Sequence, residues 1–207
     1  MLKNFKISKR GVELAVLFGM LCAVFCSFAN FNASCEELRE NVLRLHIIAN
    51  SDSKADQELK LKIRDEILKT SNNLFETDTN LENAISTCQN SLDDFKKIAQ
   101  RVAEENGFQY DINVKIGTAY FETREYESFT LPAGNYESLI IQIGEAKGKN
   151  WWCVIFPQVC IPAATEAHLS DSVGQRGTEI AQNPQKYVMK FKTVEIYENI
   201  KHYFEKK

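Results

Sequence analysis

Apolar and polar residues alternate along the segment 43–49, which predicts a β-strand with one apolar side and one polar side. The polar side carries Arg44 and His46. The next four residues, 50–53, have side chains that readily bond to nearby backbone groups, so they favour a tight turn. The pattern therefore predicts a strand that ends in a structured turn.

A helix is predicted to begin near Ser53, because Ser53 and Asp56 have the spacing of a capping box. Apolar residues then recur at four-residue steps and predict a stripe that packs on a sheet. The stripe consists of Ala55, Leu59, Ile63 and Ile67. Asn50, Asp52 and Asp56 also mimic the start of a calcium loop, but the turning glycine and the closing glutamate are absent. We therefore favour the capping interpretation.

The rest of the chain carries further periodic segments. Residues 81–102 predict one long amphipathic helix, which ends at an Asn-Gly pair. Strands are predicted over 110–116, 136–143 and 151–156, and the last two are expected to form an antiparallel hairpin. The C-terminal part predicts a short helix at 178–182, a strand at 188–191 and a final amphipathic helix.

These elements predict an α+β fold class. We expect a small, mainly antiparallel sheet with two amphipathic helices on one face, preceded by an N-terminal hydrophobic signal segment. Residues 161–178 are polar, contain two glycines and lack a period, so they are interpreted as a mobile insertion.

The N-terminal segment has the pattern of an export signal. Four cations precede a run of 16 residues without a charge, which ends at Ala29. Small residues at Ser27 and Ala29 predict cleavage before Asn30. A membrane-spanning helix needs about 20 apolar residues, which is more than this run provides, so an uncleaved membrane anchor is the alternative interpretation. The predicted organisation is residues 1–29 as signal peptide or anchor and residues 30–207 as a single extracytoplasmic domain.

Charge and cysteine content narrow the possible functions. The formal net charge is −3 at pH 7, which does not fit a nucleic-acid-binding protein. The three histidines have no paired spacing, so neither a metal site nor a cofactor is expected. Cys153 and Cys160 are close enough to close a short disulfide loop in an oxidising compartment. An extracytoplasmic thiol hydrolase that uses Cys153 or Cys160, with His46 or His168 as the base, is the alternative enzymatic interpretation.

Residues of both charge signs collect around the predicted turn. The cluster consists of Arg44, His46, Asn50, Asp52, Arg64 and Asp65. It is either a structural network, in which Arg64 pairs with Asp52 across the turn, or a docking patch for a protein partner. The residues alone leave both interpretations open.

Two long blocks of the sequence resemble a known family. The first is RLHIIANSDS at residues 44–53, continued by Asp-Gln at 56–57, Leu-Lys at 59–60, Lys62 and Arg-Asp at 64–65. The second is LPAGNYESL at 131–139, continued by Ile-Gly-Glu at 143–145, GKNWWCVIFP at 148–157 and Cys160. Both are similar to distinctive motifs of the stage II sporulation protein R (SpoIIR) family of endospore-forming bacteria. The likeness runs from about residue 42 to 204 and is lost in 161–178.

The resemblance implies a signalling role and no enzymatic activity. Members of this family are exported from the forespore into the space between the forespore and mother-cell membranes. There they activate a membrane-bound aspartic protease, SpoIIGA, which processes pro-sigma-E. The implied partner is thus a SpoIIGA-like protease, with membrane contact through the N-terminal segment if it stays uncleaved. We expect the partner-binding surface to combine the first block with the loop 144–152. Its predicted residues are Arg44, His46, Asn50, Asp52, Arg64, Asp65, Lys149, Asn150 and Trp151.

Overall fold

The computed structural model describes residues 9–126, 129–157 and 175–205 of the chain. The helices are α1 (Lys9–Arg39), α2 (Lys54–Leu74), α3 (Leu81–Asn90), α4 (Leu92–Glu105), α5 (Gln175–Gln182) and α6 (Pro184–Glu205). The strands are β1 (Leu43–Ile48), β2 (Ile112–Phe121), β3 (Arg124–Glu125), β4 (Thr130–Leu131), β5 (Gly134–Ile143) and β6 (Asn150–Phe156). The predicted α+β class is confirmed.

Four of the described strands form the main sheet, in the order β2-β5-β1-β6. β1 is parallel to β5 and antiparallel to β6, and β2 is antiparallel to β5, so the sheet is mainly antiparallel. The predicted β5–β6 hairpin is wrong because β1 lies between these two strands. The connection 144–149 passes over the end of β1, where the amides of Lys147 and Gly148 donate to the carbonyls of Asn50 and Ala49.

One face of the sheet packs against α2, α3 and α4. The core on this side includes Leu45, Ile47, Ile63, Ile67, Phe95, Ala99, Leu139 and Ile141. The long helix predicted over 81–102 is interrupted at Ser91, which ends α3 and precedes α4. Asn90 and Ser91 are poor helix formers because their side chains compete for backbone hydrogen bonds. The interruption still leaves Cys88 and Phe95, on either side of it, fully buried.

The opposite face of the sheet is also covered, by the end of α1 and by α5 and α6. A second core lies there and includes Leu38, Val42, Phe121, Phe129, Leu131, Tyr136 and Val154. The polar side of β1 therefore does not face water. Arg44 is fully buried and His46 is only 9% exposed.

The C-terminal helix α6 runs without interruption through residues 188–191, so the strand predicted there is wrong. Phe191, Val194 and Glu198 are its buried residues, and their three- and four-residue steps are the helical period. Phe191 and Tyr187 pack their rings against Phe31 of α1. This contact attaches the end of the chain to the N-terminal helix.

Helix α1 is long and apolar enough to cross a membrane by length and composition, although a signal sequence near the N-terminus passes the same test. Its apolar part is exposed, whereas Phe31, Cys35 and Leu38 are buried in the body. The predicted cleavage point before Asn30 lies inside this continuous helix, and cleavage stays a prediction. The predicted mobile insertion at 161–178 lies outside the described residues, apart from the part that begins α5.

Candidate functional site

The turn after β1 and the start of α2 form one capped unit. Ser53 is the N-cap of α2, and its Oγ accepts a hydrogen bond from the amide of Asp56 at 3.1 Å. The amide of Ser53 in turn donates to Ser51 Oγ at 3.1 Å. The predicted capping interpretation is confirmed, because these turn oxygens accept backbone hydrogen bonds at the helix start.

Asp56 is the centre of this unit and is only 4% exposed. Its carboxylate accepts hydrogen bonds from Asn50 Nδ2 at 3.0 Å, from Ser51 Oγ, and from the Tyr110 hydroxyl at 2.9 Å. Burial acts to raise the pKa of Asp56, but the hydrogen bonds from Ser51, Asn50 and Tyr110 outweigh it and lower the pKa below the ordinary value. The carboxylate is therefore held in its charged form.

The loop 144–149 is fastened to the turn by both backbone and side-chain groups. Asn50 Oδ1 accepts from the amide of Glu145 at 3.0 Å, and Asp52 Oδ1 accepts from the amide of Lys149 at 2.7 Å. Lys60, which is 4% exposed, donates from Nζ to the Lys149 carbonyl at 2.9 Å. The two sequence blocks therefore meet in space at this loop.

Two glycines allow this close approach. A Cβ on Gly148 would lie 2.2 Å from the Ser51 carbonyl oxygen. Gly144 has a φ of +55°, and a Cβ there would lie 2.4 Å from Asn50 Oδ1. Side chains at either position would push the loop off the turn. We call residues 50–53, 64–65 and 144–151 together the turn–loop surface.

Arg64 and Trp151 form the side of the turn–loop surface next to α2. The Arg64 guanidinium lies over the Trp151 ring, 4.4 Å from its centroid, and pairs with Asp65 at 2.6 Å. The predicted pairing of Arg64 with Asp52 is wrong. Asp52 instead holds the Lys149 amide, so its carboxylate fixes the loop.

Arg44 and His46 lie apart from the turn–loop surface, and Asn150 at the edge of that surface connects it to His46. Side chains alternate between the faces of a strand, so Arg44 and His46 point to the face opposite α2. His46 Nε2 is hydrogen-bonded to Asn150 Oδ1 at 2.9 Å, and its ring stacks on Trp152 with centroids 3.8 Å apart. Burial lowers the pKa of His46. Arg44 is fully buried and is not part of the turn–loop surface, so its expected role in partner binding at that surface stays a prediction.

Several contributors to the site were not among the predicted residues. Gly144 and Gly148 permit the close contact, Lys60 anchors the loop, and Asp56 organises the turn. The glycine pair four residues apart was the available signal, since glycines in a connection between strands often mark a close backbone approach. Lys60 gave no such signal, because lysine is rarely buried and the pattern placed it at the edge of the apolar stripe.

Cys153 takes part in a disulfide bond. Its expected partner, Cys160, lies outside the described residues, so this pairing stays a prediction. A sulfur in a disulfide is not a thiolate, and the thiolate is the nucleophilic form of cysteine. The thiol hydrolase interpretation therefore has no support at Cys153 in this structure.

Comparison with known proteins places both blocks within one family. The family model described as stage II sporulation protein R matches residues 39–166. This chain belongs to the stage II sporulation protein R family. The resemblance to the SpoIIR family is therefore confirmed, and the chain is a sporulation protein of stage II. The turn–loop surface lies entirely within the matched range.

A curated member of the SpoIIR family shows how far the similarity extends. The stage II sporulation protein R of Bacillus subtilis (strain 168) is 38% identical over 121 residues, which cover 58% of this chain and 54% of that protein. This chain thus matches the curated relative over about half of the relative's length. No solved structure matches the chain.

Proposed function

We propose that this chain is an exported signal that activates a membrane-embedded, SpoIIGA-like aspartic protease and so causes processing of pro-sigma-E in the mother cell. The proposal places the folded body between the forespore and mother-cell membranes. The observation that supports it is the turn–loop surface, in which the two blocks similar to the SpoIIR family form one fastened unit. The chain acts by binding and does no chemistry itself.

The turn–loop surface has the properties of a protein recognition site. Its backbone is fixed by the bonds from Asn50, Asp52 and Lys60, so little conformational entropy is lost when a partner binds. Exposed charges of both signs surround the partly buried Trp151, and among them are Asp52, Asp65 and Lys149. An aromatic and an arginine side by side are the residue types enriched in binding hot spots.

The N-terminal helix supports the proposed location. Its apolar segment is consistent with a signal or membrane segment, and its last turns are part of the folded body. If this helix stays uncleaved, it anchors the body in the forespore membrane, facing the mother-cell membrane in which the protease partner is embedded. Membrane contact through α1 is part of the proposal.

The decisive experiment reconstitutes the signal outside sporulation. The full chain is co-produced, with its export segment, together with the protease and pro-sigma-E in a non-sporulating host. Shortening of pro-sigma-E only when all three are present supports the proposal. Unchanged precursor, with all three proteins detected in their expected compartments, contradicts it. An inactive-protease control shows that the cleavage does not come from the chain itself.

Replacement of Arg64 by Ala is expected to reduce precursor processing about 5- to 30-fold, which corresponds to a loss of about 1–2 kcal/mol of binding free energy for a contributing interface residue. The fold should be nearly unchanged, because a partly exposed cation–π contact contributes only about 0.5–1 kcal/mol. Arg101→Ala on α4 is the matched control, since Arg101 is likewise a surface arginine with carboxylate partners. Equal processing by both variants would remove Arg64 from the partner surface.

Replacement of Cys153 by Ser is expected to lower the free energy of unfolding by about 2–5 kcal/mol, as for other small exported domains that lose a disulfide. Processing should fall only as far as the folded protein is depleted. Cys160→Ser is the companion variant, and it should have the same effect if the two cysteines are paired. Complete loss of activity in a variant that remains folded and exported would instead favour a catalytic thiol.

A further inference from the structure

A cavity of about 350 Å³ lies on the face of the sheet opposite α2. Strand β1, the end of β2 and the start of β6 surround it. It is lined by Arg44, Tyr120, Phe121, Glu122, Arg124, Asn150 and Trp152. Of these lining residues, only Asn150 also belongs to the turn–loop surface, so the cavity is a separate feature.

Arg44 lines this cavity, and its surroundings are unusual for a buried cation. Its Nη2 donates to the Tyr126 hydroxyl at 2.6 Å, and its Nε donates to the Cys153 carbonyl at 3.3 Å. The guanidinium lies 3.9 Å from the centroid of the Phe121 ring and 4.9 Å from that of Tyr136. These contacts fix the plane of the guanidinium and cover it with aromatic rings.

No carboxylate in the described part of the chain forms an ion pair with Arg44, and Nη1 has no hydrogen-bond partner there. Arginine keeps its charge in proteins, and a buried charge without a counter-ion is strongly unfavourable. The aromatic rings offset only part of this cost. Arg44, which lines the cavity, thus carries a positive charge and one pair of N–H donors without a partner in the described part of the chain.

The rim of the cavity sets the charge of the group that fits. Arg124 adds a second, exposed cation, and Glu122 adds an exposed carboxylate. The charged groups that line the cavity therefore sum to a single positive charge. A planar monoanion is balanced by this charge and matches the flat guanidinium, whereas a doubly charged phosphate is disfavoured by Glu122.

We propose that this cavity binds a carboxylate, with Arg44 as its main ligand and Arg124 as a second ligand at the rim. Phe121 and Trp152 provide apolar walls for the carbon atoms next to the carboxylate. The Nη1 atom is shielded from solvent in this structure, so binding includes a small displacement of the rings that cover it. The proposal holds whether or not the chain activates a protease.

The test uses the full chain in detergent micelles at constant ionic strength and follows tryptophan emission, because Trp152 lines the cavity. The probes are acetate, the peptide Ac-Gly-Glu-Gly-amide, its Gln counterpart, and inorganic phosphate. We expect saturable binding of the two carboxylates and none of the Gln peptide. A lower dissociation constant for the Glu peptide than for acetate identifies a peptide carboxylate as the natural ligand. Equal dissociation constants for the two probes identify a small free acid.

Arg44→Met is expected to weaken binding of the Glu peptide at least 10-fold, and Arg124→Gln about 3- to 10-fold. Because Arg44 is buried, its variant is also checked by circular dichroism, and Arg124→Gln alone decides the matter if Arg44→Met does not fold. Arg101→Gln, on α4, should bind as the natural chain does. The proposal is overturned by absence of saturation, by equal binding of the Gln peptide, by tighter binding of phosphate, or by unchanged binding in Arg124→Gln.

Discussion

Gly148→Ala is expected to detach the loop 144–149 from the turn and to abolish activation of pro-sigma-E processing. The added Cβ would lie 2.2 Å from the Ser51 carbonyl oxygen and 3.0 Å from the Ala49 Cβ. Ala49 directly follows β1, and Ser51 is held in the turn by hydrogen bonds from the Ser53 amide and from Gln57, so we expect the loop to move instead. Overpacking of this kind costs about 1–3 kcal/mol of folding free energy. Thermal unfolding and the reconstituted processing assay measure the two effects separately.

Gly117→Ala on β2 is the matched control for this prediction. Its added Cβ would have its nearest contact, Ile140 Cδ1, at an ordinary 3.7 Å, and Gly117 has no positive φ. The control should be exported and active. Normal processing by Gly148→Ala would show that the fastened loop is not required for activation, and the turn–loop surface would then lose its proposed role.

The strand–turn–helix unit could be predicted because its determinants are local in sequence. Alternation identified β1, and the spacing of Ser53 and Asp56 identified the start of α2. Strand pairing could not be predicted in the same way. The insertion of β1 between β5 and β6 depends on contacts between residues about a hundred positions apart in the sequence. Short-range periodicity carries no information about such contacts.

The position of Arg44 shows a second limit of prediction from the sequence. Arginine is almost never fully buried unless it is paired, so the alternation, with Arg44 and His46 on one side, predicts a polar side of the strand and not a second buried one. Burial here depends on Phe121, Tyr126 and Tyr136, which the fold brings from distant segments. The structure brings Asn50, Asp52 and Lys149 together beyond the end of β1, whereas it places Arg44 and His46 on the other face of the sheet. The role of these residues in partner binding stays a prediction.

Asp56→Ala is expected to lower the free energy of unfolding by about 3 kcal/mol at neutral pH. The substitution removes an ionised acceptor and leaves the partly buried donors of Asn50, Ser51 and Tyr110 without this partner. The turn should loosen, and with it the Asn50 side chain that holds the Glu145 amide. Processing should fall together with stability, as measured by urea unfolding and the reconstituted assay.

Acid provides a second test of the same carboxylate. The pKa of Asp56 is lower in the folded chain than in the unfolded chain, so its stabilising effect is complete above the ordinary value of about 3.9 and is lost as the pH falls through the lower folded-state pKa. The natural chain should therefore lose more stability between pH 5 and pH 2 than Asp56→Ala does, because only the natural chain has this carboxylate to protonate. Asp94→Ala, which removes an exposed carboxylate from α4, should retain the full acid dependence. An unchanged acid dependence in Asp56→Ala would mean that the hydrogen bonds at the turn do not hold the carboxylate in its charged form, and the rigidity assigned to the turn–loop surface would need another source.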